Sequence, residues 1–393
     1  MIKLIDYKRQ SKFYKHKILD NIKKNIENGD FILGKNVGLL ENKLRKITKS
    51  SYCISCSSGT DALIMSLLAL NVKPGDIVFT TVYSYISTGE VIKLLGAIPV
   101  FVDIDKDTFN INSIKLEETI KNIKKKVFLK SYPENLKKLK KINLKAIIPV
   151  SLFGNLYDYK KINKIAKKYK IKVIEDAAQS FGAKDESHYS GNVSNIGCFS
   201  FYPSKSLGCY GDGGAITTND VSIYKKLLSI RVHGQSENGV FDRLGITGRL
   251  DTIQASVLIE KLKRFNKEIN LRNKIAKIYN NSFSNIDEIK LQKIKNHSKS
   301  AFTVYAIKFK NSNMRNFILN ELKNNKIGFG IYYKKPFHKQ KVFEDYNIKS
   351  SSFPEAEKLS KTILAIPIDP YLNMEEINKI TYTIKNGIKK FYT

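Results

Sequence analysis

The sequence predicts an α/β protein: a large domain on a mostly parallel, doubly wound sheet, followed by a smaller C-terminal α+β domain. Three observations predict it. Short apolar runs of strand length alternate with helical patterns through roughly the first 250 residues. That alternation stops near 250–260. At 393 residues, with 42% hydrophobic and 11% aromatic side chains, the chain can bury two or three ordinary cores, so wholesale disorder is excluded.

Taken in order, residues 37–48 read as a helix and 52–56 (YCISC) as a short strand. Ser57-Ser58-Gly59-Thr60 then opens a helix with apolar residues at 62, 63, 65, 67 and 68. A strand at 77–81, a helix at 88–95 and a strand at 99–102 follow. Residues 121–145, Lys-rich around Tyr132-Pro133, read as a surface excursion before the strand 146–150 (AIIPV). A Lys-rich helix at 158–170 leads to the strand 171–175, and further strands fall at 198–202 and 215–218. A long helical stretch (255–279) then begins the second region, with strands near 302–309 and 329–333 and helices near 314–325 and 374–390. The expected division is 1–254 and 255–393.

The charge balance is abnormal. Lys and Arg total 68 against 36 Asp and Glu, a net +32, and 60 of the basic residues are Lys. A nucleic-acid or membrane-surface protein would gather this charge in one patch, arm or tail. Here it is spread evenly beside Ile and Asn, which fits compositional bias and argues against specific nucleic-acid binding. Four Cys do not make a disulfide framework at this length, and Cys53 and Cys56 lack a second pair or His at zinc spacing. They read as small apolar residues of a buried strand in a reducing, cytoplasmic compartment. The basic N-terminus lacks the apolar core of a signal peptide, and no apolar run approaches a membrane span, so no membrane insertion is expected.

Three segments carry candidate chemistry. Ser58-Gly59-Thr60, between a strand and a helix, offers free backbone N–H groups at the positive end of a helix dipole. It is a phosphate seat, and equally an ordinary N-cap. Val173-Ile174-Glu175-Asp176-Ala177-Ala178-Gln179 ends an apolar strand in two carboxylates, where open α/β sheets place ligands. One of them could face a cationic heterocycle, or both could be solvated acids opening a turn. Third, Lys205 follows an apolar strand and precedes a Gly-rich turn (Gly208, then Gly211-Asp212-Gly213-Gly214), unlike a lysine on a helix face. A desolvated Lys has a lowered pKa that frees its amine for Schiff-base chemistry. Ser200, five residues upstream, can turn toward the same phosphate. A phosphate seat, a carboxylate for a pyridinium nitrogen and an amine for an aldehyde are the equipment for pyridoxal phosphate.

At these residues the chain resembles the DegT/DnrJ/EryC1/StrS family of sugar aminotransferases, which have the aspartate-aminotransferase-like fold of fold type I pyridoxal-phosphate enzymes. The likeness runs through Phe31-Ile32-Leu33-Gly34, Ser57 to Leu63, Glu175 to Gln179, the Lys205 segment, His233-Gly234, Gly248 to Ala255 and Pro336-Phe337-His338. The resemblance implies that Lys205 holds the cofactor covalently. By the same token Asp176 would pair with the ring nitrogen, Gln179 would lie near the ring substituents, and Gly59, Thr60 and Ser200 would bind the phosphate. Tyr85 would stack on the ring. The resemblance also implies a homodimer with shared active sites, the loop 233–249 reaching into the neighbour's pocket with Arg249 recognising a carboxylate. Tyr332, Tyr333 and His338 would lie beside the sugar, although His338 serves a structural role equally well.

Two departures stand out. Thr247 occupies the place of an Asn that usually helps bind phosphate across the dimer, and the segment 121–145 is long for the family. The implied reaction has two halves, an amino acid (L-glutamate in the family) giving its amino group and a nucleotide-linked keto-sugar receiving it. Lys205 would act as acid and base. Gly248 to Ala255 and the Phe31 segment look most like the branch acting on UDP-2-acetamido-2-deoxy-3-oxo-glucuronate in surface-polysaccharide and lipopolysaccharide synthesis. Rival expectations are a dTDP-3-keto or UDP-4-keto deoxysugar acceptor, a cofactor-dependent sugar dehydratase, and a basic binding protein on an inherited fold.

Overall fold

The computed structural model describes residues 1–349 and 351–393. Seven strands form the main sheet: β1 (Tyr52–Cys56), β2 (Ile77–Thr81), β3 (Ile98–Val102), β4 (Leu144–Ile148), β5 (Lys172–Asp176), β6 (Ile196–Ser200) and β7 (Gly214–Thr218). Their spatial order is β1-β7-β6-β5-β4-β2-β3. Only β7 runs against the others, pairing antiparallel with β1 and β6. Nearly every residue of these strands is buried, as a sheet covered on both faces requires. The helices Gly59–Ala69 and Val221–Ile230 pack on one face over Ile54, Ile174, Cys198 and Ile216. Helices Ser113–Lys124 and Tyr159–Tyr169 cover Phe79, Val100, Ile147 and Val173 on the other.

The helix Thr252–Phe283 is shared between two cores. Its first half packs Ala255, Leu258 and Phe265 against Phe181, Phe199 and Ala215 under the main sheet. Its second half packs Ile275, Tyr279 and Phe283 against a three-stranded antiparallel sheet. That sheet has the order β8 (Ile289–Leu291), β9 (Tyr305–Phe309), β10 (Ile363–Ile366), and is backed by helices Ser312–Asn324 and Met374–Tyr392. The N-terminal residues join this second core: Ile2 is buried there and bridges Ile327.

All four cysteines are free and buried. No helix among the described residues is long and apolar enough to cross a membrane. Two segments differ from expectation. Residues 329–333 are not a strand: only Gly330 bridges Ala365, after which the chain leaves the sheet edge. The segment 121–145 keeps its lysines outward but is anchored by buried Tyr132 and Leu136, and none of it reaches the cavity described next.

Candidate active site

The carboxyl ends of β1, β5 and β6 open onto one cavity of about 600 Å³. This is where a doubly wound sheet leaves a crevice, because the connections after adjacent strands depart to opposite faces. From β1 comes the turn into helix Gly59–Ala69. Ser58 caps that helix, its Oγ accepting from the Asp61 N–H at 3.0 Å. The Asp61 carboxylate is occupied by the Ser57 and Ser58 hydroxyls at 2.6 and 2.9 Å. The N–H groups of Gly59 and Thr60 have no acceptor among the described residues, and both residues line the cavity. The same turn therefore caps the helix and leaves two N–H groups open to the cavity. Gly59 also lets this helix start touch the end of β6: a Cβ there would stand 2.6 Å from Ser200 Cβ.

β5 ends in two acids with opposite fates, because successive strand residues face opposite sides. Glu175 is fully buried behind the site, accepting from Ser151 Oγ and Ser190 Oγ, both at 2.9 Å, and from the Gly191 N–H at 2.7 Å. Burial pushes its carboxyl up to about 7, against the pull of those three donors. Asp176 faces the cavity, only 4% exposed. It accepts from Thr88 Oγ1 at 2.6 Å and from the Ala178 N–H at 3.1 Å. Burial raises its pKa, while Thr88, Ala178 and the positive charge of Lys205 draw it down.

Lys205 projects from the turn after β6 into the same cavity, and its amine makes no hydrogen bond or ion pair among the described residues. Burial lowers its pKa, and Asp176 opposes that shift. The turn beyond it is held from behind by Lys261, a buried lysine of the long helix whose Nζ donates to the Gly208 carbonyl at 2.6 Å.

Gln179 is locked in orientation. Its Oε1 accepts from the Phe153 N–H at 2.9 Å, and its Nε2 donates to the Tyr333 hydroxyl at 2.9 Å. Tyr333 is in turn gripped by Tyr83, whose hydroxyl accepts from the Tyr333 N–H at 2.5 Å and donates to its carbonyl at 3.0 Å. This explains why 330–333 leaves the sheet edge: it is drawn over the main sheet to wall the cavity. Tyr85, Tyr332 and Ser200 line it as well, with the Tyr85 ring 6.3 Å from that of Tyr333.

Two of the named residues do not line the cavity of their own chain. His338 is buried beneath the surface, its Nε2 3.1 Å from Glu357 and its ring against Phe353, and it does not line the cavity. Arg249 is half-buried and also absent from the cavity wall. It ends a loop that exposes Val240, Phe241 and Leu244, and in which Thr247 Oγ1 lies 2.6 Å from His233 Nε2. Conversely, Leu4, Ile5, Thr88, Arg272 and Asp369 meet at the site without a sequence signal. Nothing local in their segments marks them, since each arrives through long-range packing.

The residues fit a phosphorylated pyridine aldehyde. The helix start has two unsatisfied N–H groups in a cradle that one added carbon would fill, Asp176 is a buried carboxylate short of a cation, and the Lys205 amine is unpaired.

Comparison with known proteins agrees with this chemistry. The profile of the DegT/DnrJ/EryC1/StrS aminotransferase family matches residues 13–385. The chain is 39% identical to the UDP-2-acetamido-2-deoxy-3-oxo-D-glucuronate aminotransferase of Pseudomonas aeruginosa, over 98% of this chain and 100% of that protein. Its structure superposes on a DegT DnrJ EryC1 StrS aminotransferase from Brucella abortus with a TM-score of 0.90 and 37% identity, covering 98% and 99% of the two chains. A Bacillus subtilis protein solved with bound cofactor PMP matches with a TM-score of 0.85 and 27% identity, covering 98% of this chain and 83% of that one.

Proposed function

We infer the reaction from one premise: the chain belongs to the DegT/DnrJ/EryC1/StrS aminotransferase family, and is a pyridoxal-phosphate-dependent sugar aminotransferase. The reading is transfer of the amino group of L-glutamate to UDP-2-acetamido-2-deoxy-3-oxo-glucuronate, in the cytoplasm, for a surface polysaccharide. The observation that carries it is the end-to-end similarity to the Pseudomonas aeruginosa enzyme named for that acceptor.

When bound, the cofactor supplies an electron sink through which an amino group passes from donor to acceptor. The remaining work belongs to the chain. The N–H groups of Gly59 and Thr60, with Ser200, would hold the phosphate against the helix dipole. Asp176 would face the ring nitrogen, and a cation there would reverse the upward drift of its pKa. Gln179 and Tyr333 would present fixed polar atoms to the ring substituents. Tyr85, 57% exposed on the cavity rim, is free to lie on the ring face. Lys205 Nζ, its protonated form disfavoured by burial, would take a proton from the donor carbon and return it to the acceptor carbon.

The working form in this reading is a homodimer. Phe31, Ile32, Leu33, Phe241 and Leu244 are large apolar residues left exposed on the single chain, which supports a second copy covering them. The loop 233–249 of one copy would then complete the other's cavity, where Arg249 would grip a carboxylate through its guanidinium fork.

The test offers the purified protein L-glutamate and a panel of UDP- and dTDP-linked keto-sugars, and identifies the aminated product by mass and NMR. The expected product is the 3-amino uronate. A faster reaction with a dTDP-linked sugar, or release of a deoxysugar without amine, would overturn the reading.

A further inference from the structure

Two residues of the N-terminal segment, Leu4 and Ile5, line the active cavity. Their path is anchored at two places. Ile2 exchanges backbone hydrogen bonds with the second core, donating to Lys326 O at 2.9 Å and accepting from the Gly328 N–H at 2.7 Å. Beyond, the Asp6 N–H donates to Asp369 Oδ2 at 3.1 Å, and Arg9 forks onto both oxygens of Glu376 at 2.8 Å. Between these anchors, Leu4 and Ile5 line the cavity that holds Asp176 and Lys205. Leu4 lies beside Tyr332, because a Cβ on Gly330 would stand 3.2 Å from Leu4 Cδ2 and 3.0 Å from the Tyr332 ring. Tyr7 lies near Tyr202 and Tyr332, and its phenol is pushed up by partial burial and by those two neighbours.

We propose that Leu4 and Ile5 are specificity residues of the amino acceptor site, forming with Val304, Ala365 and Ile366 the apolar wall that receives the acyl substituent of the sugar. The proposal rests on the acceptor reading above and names one of its contacts. The donor, L-glutamate, carries two carboxylates and an amine, and none of them gains from an aliphatic surface. The uronate, diphosphate and uracil of the acceptor are polar or charged. The acetamido methyl is the acceptor's one terminal apolar group, so its transfer from water to this wall is favourable, and burying a methyl is worth about a fourfold change in affinity. The strap is tied by backbone hydrogen bonds and one forked ion pair, so the wall is set before substrate arrives and need not be ordered on binding.

The experiment uses the full-length holoenzyme with Leu4→Ser and Ile5→Ser, and with Leu4→Met as the conservative control. Three quantities are read: the KM for the keto-sugar the wild type aminates, the single-turnover rate of the glutamate half-reaction, and the affinity for free UDP. Thermal melting confirms that each variant is folded. The expected result is a KM for the acceptor raised about fourfold in the serine variants, near wild type in Leu4→Met, with the glutamate step and UDP affinity within about 1.5-fold of wild type. An unchanged acceptor KM, or a glutamate step that falls in parallel, overturns the proposal. A wild type that aminates only sugars lacking an acyl group instead defeats the acceptor reading, and the acyl wall with it.

Discussion

Gly59→Ala places one carbon where the helix start meets the end of β6. The added Cβ would lie 2.6 Å from Ser200 Cβ, 3.1 Å from its Cα and 3.2 Å from its Oγ, whereas ordinary contact begins at 3.4 Å. The two segments must separate by about 0.8 Å, and no rotamer change helps, because a Cβ moves only with its backbone. Overpacking of this kind costs about 1–3 kcal/mol. The strain falls on the two segments proposed to hold the cofactor phosphate, so much of it should appear as lost cofactor affinity. A loss of about 1.4 kcal/mol is tenfold in the dissociation constant. Apoenzyme is titrated with pyridoxal phosphate by absorbance, and melting is followed in parallel. The double variant Gly59→Ala/Ser200→Gly isolates the cause, since Ser200→Gly removes the colliding atom. In that background the alanine should cost less than about threefold. Unchanged affinity in Gly59→Ala, or an equal loss with and without Ser200, would refute the argument.

Three further outcomes are expected. Lys205→Ala should lower transamination by about 10³-fold or more, and borohydride reduction followed by peptide mapping should label position 205 in the wild type and nothing in the variant. Asp176→Asn should reduce kcat by about 10²–10³-fold while shifting the absorbance of the bound cofactor. Thr88→Val, which removes a 2.6 Å hydrogen bond to the same carboxylate, should cost about tenfold; equal losses in both would show that the charge itself is not what matters. Glu175 takes up a proton more readily folded than unfolded, because burial raises its pKa to about 7 from 4.5. The folded state therefore binds more protons between those values, and its stability falls as pH rises from about 4.5 to 7. Glu175→Gln should flatten that part of the melting-temperature profile, and an unaltered slope would reject the assignment.

The strand ends were legible because each is a local pattern. An apolar run stopping at the Glu175-Asp176 pair and a Ser-Gly-Thr turn before an apolar helix each lie within a few residues of sequence, whereas the strand expected at 198–202 lies two residues earlier, at 196–200. A resemblance to one family joined them. Thr88 had no such mark: it is one of many hydroxyls, and only the pairing order of β2, β4 and β5 sets it against Asp176 across 88 residues. Residues 329–333 misled in an instructive way. Their β-branched and aromatic content suits a strand, yet Tyr333 is held by Tyr83 and Gln179 over the main sheet, and that side-chain grip wins over edge pairing. His338 lies among polar and aromatic neighbours below the surface, because Glu357 and Phe353 from the following helix region enclose it.

What the chain alone determined was an α/β architecture with a second α+β region, and local motifs that place Gly59, Thr60, Asp176, Ser200 and Lys205 at strand ends and turns. Those follow from short-range rules, namely period, capping, turn chemistry and the burial of apolar runs. The fold alone decided which distant groups share the cavity. It set Gly59 against Ser200, turned Glu175 away from Asp176, and brought Leu4 and Ile5 to the wall. Such contacts depend on strand order and on the packing of side chains far apart in sequence, and no local pattern encodes a distance between them.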